Sequence, residues 1–374
     1  MPATIGQLPS HLEKARSRVG VGFKKISNPV GTYGARTYQS LGYDNSLRLN
    51  DFKENCTLEI LFCDDEEVLF DLVGTDAPIA NALRRILLSE VPTLAIENVF
   101  VHRNTSIMHD EQLAHRLGLV PLKIDPRPFE YWEKGLPVTV ANTVKLSLRT
   151  KCEFNPSAPR DGEAPPSVLY KNSSVLSGSI EHVPFGGHEQ SKFIGNEVPR
   201  PVHEDILLCK LRPGQEIHVE MDATKNIGRE HAKWSPVATA GYRMLPEVNL
   251  KTRVVGATAK RLVNLCPAKV FDIEDDVAVV ARPRDCTVCR ECIREPEWEE
   301  RVELTRKRDH FIFSVESTGA MPAPTLVTEA LSVLTGKCDL VLAALDAALK
   351  QRTTHDNGVD EENPDVEMDE SEGS

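Results

Sequence analysis

The sequence predicts an α+β fold, and three observations predict it. Strand-patterned pieces over residues 57–73 run into an amphipathic helix over 78–90, a long middle stretch reads as mainly β, and the folded chain ends on one long helix with a regular apolar seam. At 374 residues and 40% hydrophobic content, the chain has room for two or three domains and a sizeable core.

The elements follow in order. The first 40 residues carry Lys14, Arg16, Arg18, Lys24, Lys25 and Arg36 against Glu13 alone, and this composition predicts a flexible arm over 1–44. Contact of that arm with nucleic acid or an acidic neighbour is the alternative. Leu58, Ile60 and Phe62, then Val68, Phe70 and Leu72, alternate in strand fashion around the turn Asp64-Asp65-Glu66-Glu67. In the helix that follows, Thr75 or Asp76 can cap the free amides and Pro78 sits in the tolerant first turn. Ile79, Ala82, Leu83, Ile86 and Leu87 form its apolar face. The opposite face holds Asn81, Arg84, Arg85 and a leucine, Leu88, where a surface helix would carry a polar residue. Arginines and an apolar anchor together fit a surface covered by a partner; a core helix with two solvated arginines is the plainer reading.

Two strand-like pieces lie around 94–103, and another covers 138–152 through Val138, Val140, Val144, Leu146 and Leu148. The proline-rich stretch from Asn155 to Ser167 reads as a surface loop, and 168–250 as short strands separated by Gly and Pro. After Pro322 and Pro324, Val327, Leu331, Leu334, Cys338, Val341, Leu345 and Ala348 recur with a 3.5-residue period, the seam of helix-on-helix packing. Leu326, Val333, Leu340 and Ala347 add a second stripe, and Leu342 and Leu349 a third. So wide an apolar surface belongs either to a buried core helix or to one that packs on its own domain and on a second subunit. Gly336 interrupts it at a cost of about 1 kcal/mol relative to alanine. The chain closes on a tail over 351–374, predicted to be disordered and acidic.

Composition narrows the function classes. The formal charge is −12, but residues 356–374 hold nine acids, from Asp356 to Glu372, and no base, which leaves −3 for the rest. A body without basic excess is not expected to bind nucleic acid on its own. No run of about 18 apolar residues predicts a membrane span, and no apolar leader is seen at the start, so a cytosolic or nuclear protein is expected.

Nine cysteines without a leader argue against a disulfide framework. Cys56, Cys63, Cys152, Cys209 and Cys338 are scattered, as small core residues are. Cys286, Cys289 and Cys292 instead form a C-x₂-C-x₂-C run, and Cys266 precedes Pro267. In bacterial-type ferredoxins such a triplet and a Cys-Pro cysteine ligate clusters. Here one half of a two-cluster pattern keeps its Cys-Pro and the other its triplet, so the four thiols suffice for one 4Fe–4S site. Zinc held by the same four thiols, and an empty reduced site, are the alternatives. Charged neighbours and the lack of a second redox group favour a structural staple over an electron carrier.

Catalytic signatures are missing. The sequence has no G-x-x-x-x-G-K-[ST], no G-x-G-x-x-G after a strand, no G-x-S-x-G, no H-E-x-x-H and no magnesium-binding aspartate triplet. His102, His109, His182 and His188 lie near acids or in loops, where histidines are more often structural or solvated than catalytic.

Asn81–Leu88 and Leu113–Leu122 resemble the α-motif of the α-like subunits of cellular RNA polymerases. Asn104–Leu119, Asp125-Pro-Arg-Pro-Phe-Glu-Tyr131, His231–Pro246 and Arg308–Gly319 are most similar to the roughly 40 kDa subunit shared by eukaryotic RNA polymerases I and III. The polymerase II paralogue is similar over the first of these segments and less so over the second. The resemblance spans about residues 45–350. It implies a discontinuous dimerisation domain (45–92 and 306–350), an inserted β-rich domain (93–255) and a ferredoxin-like element (256–305). It also implies a non-catalytic assembly platform that heterodimerises with the smaller α-like subunit and docks the large catalytic subunits, meeting DNA only through the complex. Nuclear, including nucleolar, localisation follows. On this reading Val327, Leu331, Leu334, Cys338, Val341 and Leu345 contact the smaller subunit, Asn81, Arg84, Arg85 and Leu88 face the large ones, and Cys266, Cys286, Cys289 and Cys292 ligate the cluster. Many eukaryotic relatives lack those cysteines; this chain keeps all four.

Overall fold

A computed structural model describes residues 8–29, 34, 36–133, 135–157, 165–185, 193 and 198–356. The elements used below are, in the first half, β1 (Arg18–Val21), β2 (Thr57–Cys63), β3 (Glu67–Val73), α1 (Ala77–Ser89), β4 (Pro92–Asn104), α2 (Asp110–Gly118) and β5 (Thr143–Lys151). In the second half they are β6 (Ile180–His182), β7 (Glu216–Ile227), β8 (Val237–Leu250), α3 (Gly256–Leu265), β9 (Phe271–Glu274), β10 (Val277–Val280), β11 (Val302–Ser317) and α4 (Ala323–Asp356).

The first sheet is built around β11, a strand long enough to take different partners along its two halves. Its start pairs with β1 and its end with β3, which in turn pairs with the edge strand β2. On its other side β8 runs antiparallel along nearly the whole of β11. The helices α1 and α4 cover one face, where Phe70 and Phe313 stack with ring centroids 4.9 Å apart amid Leu83, Leu87 and Leu326. Residues 237–250, expected within the inserted β-rich stretch, belong instead to this sheet, because β8 pairs with β11.

The second sheet has the order β6-β5-β7-β4, fully antiparallel. Alternation in β5 and β7 sends Leu146, Leu148, Ile217, Val219 and Met221 to one buried face, on which α2 packs through Leu113 and Leu117. Gly319, just past β11, has φ +86°, and a Cβ there would stand 2.4 Å from Val202 Cγ1, so only glycine lets this turn approach the inserted part. A third, smaller core joins α3, the β9–β10 hairpin and Trp298 to the start of β11. The hairpin turns at Asp275 and Asp276, both at positive φ, as a two-residue turn requires.

Within the stretch expected to be a flexible arm, Ser10–Ser17 is helical and β1 extends the first sheet. The reason is specific pairing. Lys14 bridges Glu303 at 2.6 Å and Arg18 bridges Glu247 at 2.6 Å, so two of the arm's cations meet acids of the chain's own sheet. The acidic tail from residue 357 onward, and most of the proline-rich loop, lie outside the described residues.

Candidate partner surfaces and the cysteine cluster

The helix α1 begins as its sequence dictates, with the Asp76 carboxylate accepting from the Ala77 amide at 2.8 Å and Pro78 in the first turn. Its buried residues are Ala80, Leu83, Ile86 and Leu87. Ile79, predicted for that face, is instead 42% exposed. The structure separates the predicted outward residues. Arg84 donates to Asn81 Oδ1 at 3.2 and 2.9 Å, which ties those two together. Arg85 is exposed, whereas Leu88 is half-buried and packs against the first core. The leucine that looks out of place in the sequence is therefore partly satisfied within the chain.

The terminal helix α4 divides in two. Ala323, Leu326 and Ala330 are fully buried under the sheet, and Val327, Val333 and Leu334 pack at the edge of that core. From Thr335 to Lys350 every residue is exposed, including Cys338, Leu340, Val341, Leu342, Leu345 and Leu349. Of the predicted seam, Val327 and Leu334 touch the chain's own core, and Leu331, Cys338, Val341 and Leu345 are exposed. Lys337 forms an ion pair with Glu90 just past α1, fixing where the free half departs.

The second signature segment is mostly internal. Leu113, Leu117, Val120 and Leu122 are core residues of the inserted sheet, and Arg116 donates to the backbone carbonyls of Leu207 and Leu208. His115 and Leu119 line a groove of about 250 Å³ with His231 and Lys233, a feature with no sequence signal beyond the motifs themselves. The Asp125–Tyr131 segment is a buttress. Burial alone would raise the Asp125 carboxyl, but hydrogen bonds from Arg127 outweigh it and hold it below its ordinary range. Arg127 also reaches Glu329 on α4 at 3.9 Å, and Lys225 donates to the Phe129 carbonyl at 2.8 Å. This joint has no local signature in the sequence, because its partners are far apart in the chain.

The four cysteines do converge. Cys266, Cys286, Cys289 and Cys292 line one cavity of about 10 Å³, roughly the room of one water, with Val270 and Phe271 behind them. The first, second and fourth are buried and Cys289 is exposed. The backbone is shaped around the sulfurs. The Val270 amide donates to Cys266 Sγ at 3.4 Å, and Val288 and Arg290 take φ +57° and +68° within the triplet. Positive φ is unusual for a β-branched valine. Burial, then the neighbouring thiols, pushes Cys292 up to about 12, and burial also raises Cys286. Cys286 and Cys292 are thus protonated at neutral pH, and a metal bound to these two must displace their protons. Four sulfurs suit an iron–sulfur cluster or zinc as a donor set. As placed, however, no group of three or more Cys, His, Asp or Glu side chains among the described residues is arranged to hold a metal ion. The thiols are gathered without being closed into a ligand shell.

A clamp fastens this element to the first sheet. Arg284, two residues before Cys286, donates to both Asp71 oxygens at 2.8 and 2.5 Å, and His310 Nε2 lies 2.8 Å from the same carboxylate. Asp71 is buried on β3, and the Arg284 carbonyl accepts from Arg243 on β8 at 2.9 Å.

Comparison with known proteins agrees with this architecture. Residues 69–338 match the family described as the RNA polymerase Rpb3/Rpb11 dimerisation domain. The chain is 46% identical over 341 residues to the DNA-directed RNA polymerases I and III subunit rpac1 of Dictyostelium discoideum, covering 90% of this chain and 96% of that one. It is 44% identical to the corresponding Homo sapiens subunit RPAC1, covering 90% and 97%. Similarity to the RNA polymerase II subunit rpb3 of Dictyostelium discoideum is lower, 33% over 294 residues, or 75% of this chain and 91% of that one.

Proposed function

The chain belongs to the RNA polymerase Rpb3/Rpb11 dimerisation-domain family, and on that premise we propose that it is a non-catalytic assembly platform of RNA polymerases I and III. It heterodimerises with the smaller α-like subunit and docks the large catalytic subunits, which supply the active site and the contact with DNA. The observation that carries this reading is the exposed half of α4, where Leu340, Val341, Leu342, Leu345 and Leu349 stand together in water, as residues of an interaction surface do. The higher identity to subunits of polymerases I and III than to the polymerase II subunit favours the shared subunit over the paralogue. Nuclear localisation with a nucleolar fraction goes with that role.

Affinity purification of the tagged full chain with identification of co-purifying subunits tests the proposal. We expect the smaller α-like subunit and the large subunits of both polymerases; their absence, or polymerase II subunits in their place, overturns it. Arg84→Ala with Arg85→Ala should keep the heterodimer and weaken docking to the large subunits. Loss of the heterodimer in that variant would refute the division of faces.

A second reading concerns the cysteines and is favoured by their convergence on one cavity. Cys266, Cys286, Cys289 and Cys292 would hold an iron–sulfur cluster as a structural staple. Iron and acid-labile sulfide in anaerobically purified protein test it; zinc, or neither element, sinks it.

A further inference from the structure

The N-terminal segment runs directly onto the cysteine site. Val248 and Val21 both stand opposite Leu304, on the strands β8 and β1 that flank β11. Cross-strand neighbours share a face, so the three side chains form one row. Val248 and Leu304 line the cysteine cavity, and Val21 continues that floor within the same buried cluster as Cys266, Cys286 and Cys292. Beyond Val21 the chain turns back at once. The Gly22 amide donates to the Lys25 carbonyl at 2.8 Å, and Ile26 and Ser27 pair with Val21 and Gly20.

The tip of this hairpin is tied to the cysteine element at two points. The Phe23 amide donates to Glu299 Oε1 at 3.1 Å, and the Phe23 carbonyl accepts from Arg290 Nη1 at 3.2 Å. Glu299 lies on the helical turn Pro296–Arg301, next to the buried Trp298. Arg290 stands between Cys289 and Cys292 and lines the cavity itself. A Cβ on Gly22 would come within 3.0 Å of Glu299 Oε1 and 3.1 Å of the Lys25 carbonyl oxygen, so the approach of tip to element suits glycine.

Cys286 and Cys292 are 8% and 6% exposed, so a reagent reaches them only when a wall of the cavity moves. The wall most able to move is the triplet segment. Residues 286–290 belong to no helix or strand, and Val288 and Arg290 take positive φ, so side-chain ties such as the one to Phe23 fix the segment in place. Segments of this kind open locally at lower free energy than the sheets they rest on. We propose that the hairpin tip over residues 22–25 is a strap that controls access to the cysteine site. Seated, it pins the Cys286–Cys292 segment against the sheet. Released, it opens Cys286 and Cys292 to metal ions and thiol reagents from solution. The inference concerns the thiols themselves and holds whether they take iron, zinc or no metal.

The test treats the folded full chain, reduced and cleared of metal by a chelator, with N-ethylmaleimide and reads the alkylation rate of each cysteine by mass spectrometry. Phe23→Pro removes the amide donor from the strap, and Glu299→Ala removes its acceptor from the element. Loss of this one hydrogen bond should speed alkylation of Cys286 and Cys292 about fivefold in both variants. Cys209, buried in the core of the inserted sheet, should keep its rate. Lys14→Ala breaks the exposed pair with Glu303 upstream of the strap and should leave every rate within about twofold of wild type. Unchanged rates at Cys286 and Cys292 overturn the inference. So does an equal rise at Cys209, which is general loosening, or an equal rise in Lys14→Ala, which belongs to the whole N-terminal segment. A rise in Glu299→Ala alone overturns it as well, because the effect then lies in the turn Pro296–Arg301 and not in the strap.

Discussion

The two sheets of this molecule start from the same sequence pattern and end in different states. Val144, Leu146 and Leu148 on β5 alternate as Leu58 and Ile60 do on β2. The first set is between 0% and 1% exposed, and the second between 46% and 60%. The difference is in what lies above them. The inserted sheet brings its own cover in α2, whose Leu113 and Leu117 are wholly buried. The first sheet has cover for three strands and a helix that runs off its edge. Alternation specifies a face for burial; it does not specify which chain buries it. One sheet is covered by its own helix and the other leaves its edge strand uncovered within the chain.

The sharpest way to break that comparison is to remove equal apolar volume from each region. Leu148→Ala should destabilise the isolated chain by about 2–5 kcal/mol, because the site is closed and a cavity remains. Leu345→Ala should change the isolated chain by no more than about 0.5 kcal/mol. Urea unfolding of the two variants, followed by circular dichroism, reads both. Similar losses in the two would mean that the free half of α4 is covered within the chain. Leu345→Asp then reports on the partner. It should weaken the heterodimer about 10- to 100-fold, or about 1.4–2.7 kcal/mol, with no change in the isolated chain. Leu334→Asp, the substitution that the sequence seam would suggest, is less clean: Leu334 packs against the chain's own core, so its loss should lower monomer stability as well.

These outcomes bear on what the sequence reveals. The period-3.5 seam marks α4 correctly as a packing helix, but the residues that enter the core are Leu326 and Ala330, one position off that seam. Periodicity gives the width of an apolar surface and not its orientation on a sheet. The capping of α1 by Asp76 and the burial of Leu83, Ile86 and Leu87 are local properties and were legible. The folded N-terminal segment was not, since Lys14 and Arg18 meet acids more than 200 residues away. The gathering of the four cysteines follows from their spacing. The Arg284–Asp71 clamp, across 213 residues, does not.

That clamp joins the cysteine element to the first sheet, and its loss should cost less than that of a closed core leucine. Asp71→Asn leaves Arg284 without its counter-charge and should cost about 1–2 kcal/mol. This is less than for a fully buried pair, because the Arg284 side chain is 38% exposed. Burial pushes the Asp71 carboxyl up, but hydrogen bonds from Arg284 and His310 outweigh it and leave it below its ordinary value. A carboxyl lowered by folding stabilises the native state at pH values above its unfolded pKa of about 3.9. It loses that contribution as pH falls through the folded value. The wild-type chain should therefore lose stability steeply below about pH 4, and Asp71→Asn should follow a shallower curve there while being less stable at neutral pH. Unfolding measured from pH 2 to pH 7 separates the two. Parallel curves would show that the charge of the clamp contributes nothing, and that the element is held to the first sheet by the Arg243–Arg284 hydrogen bond and the packing around Trp298 and Leu304.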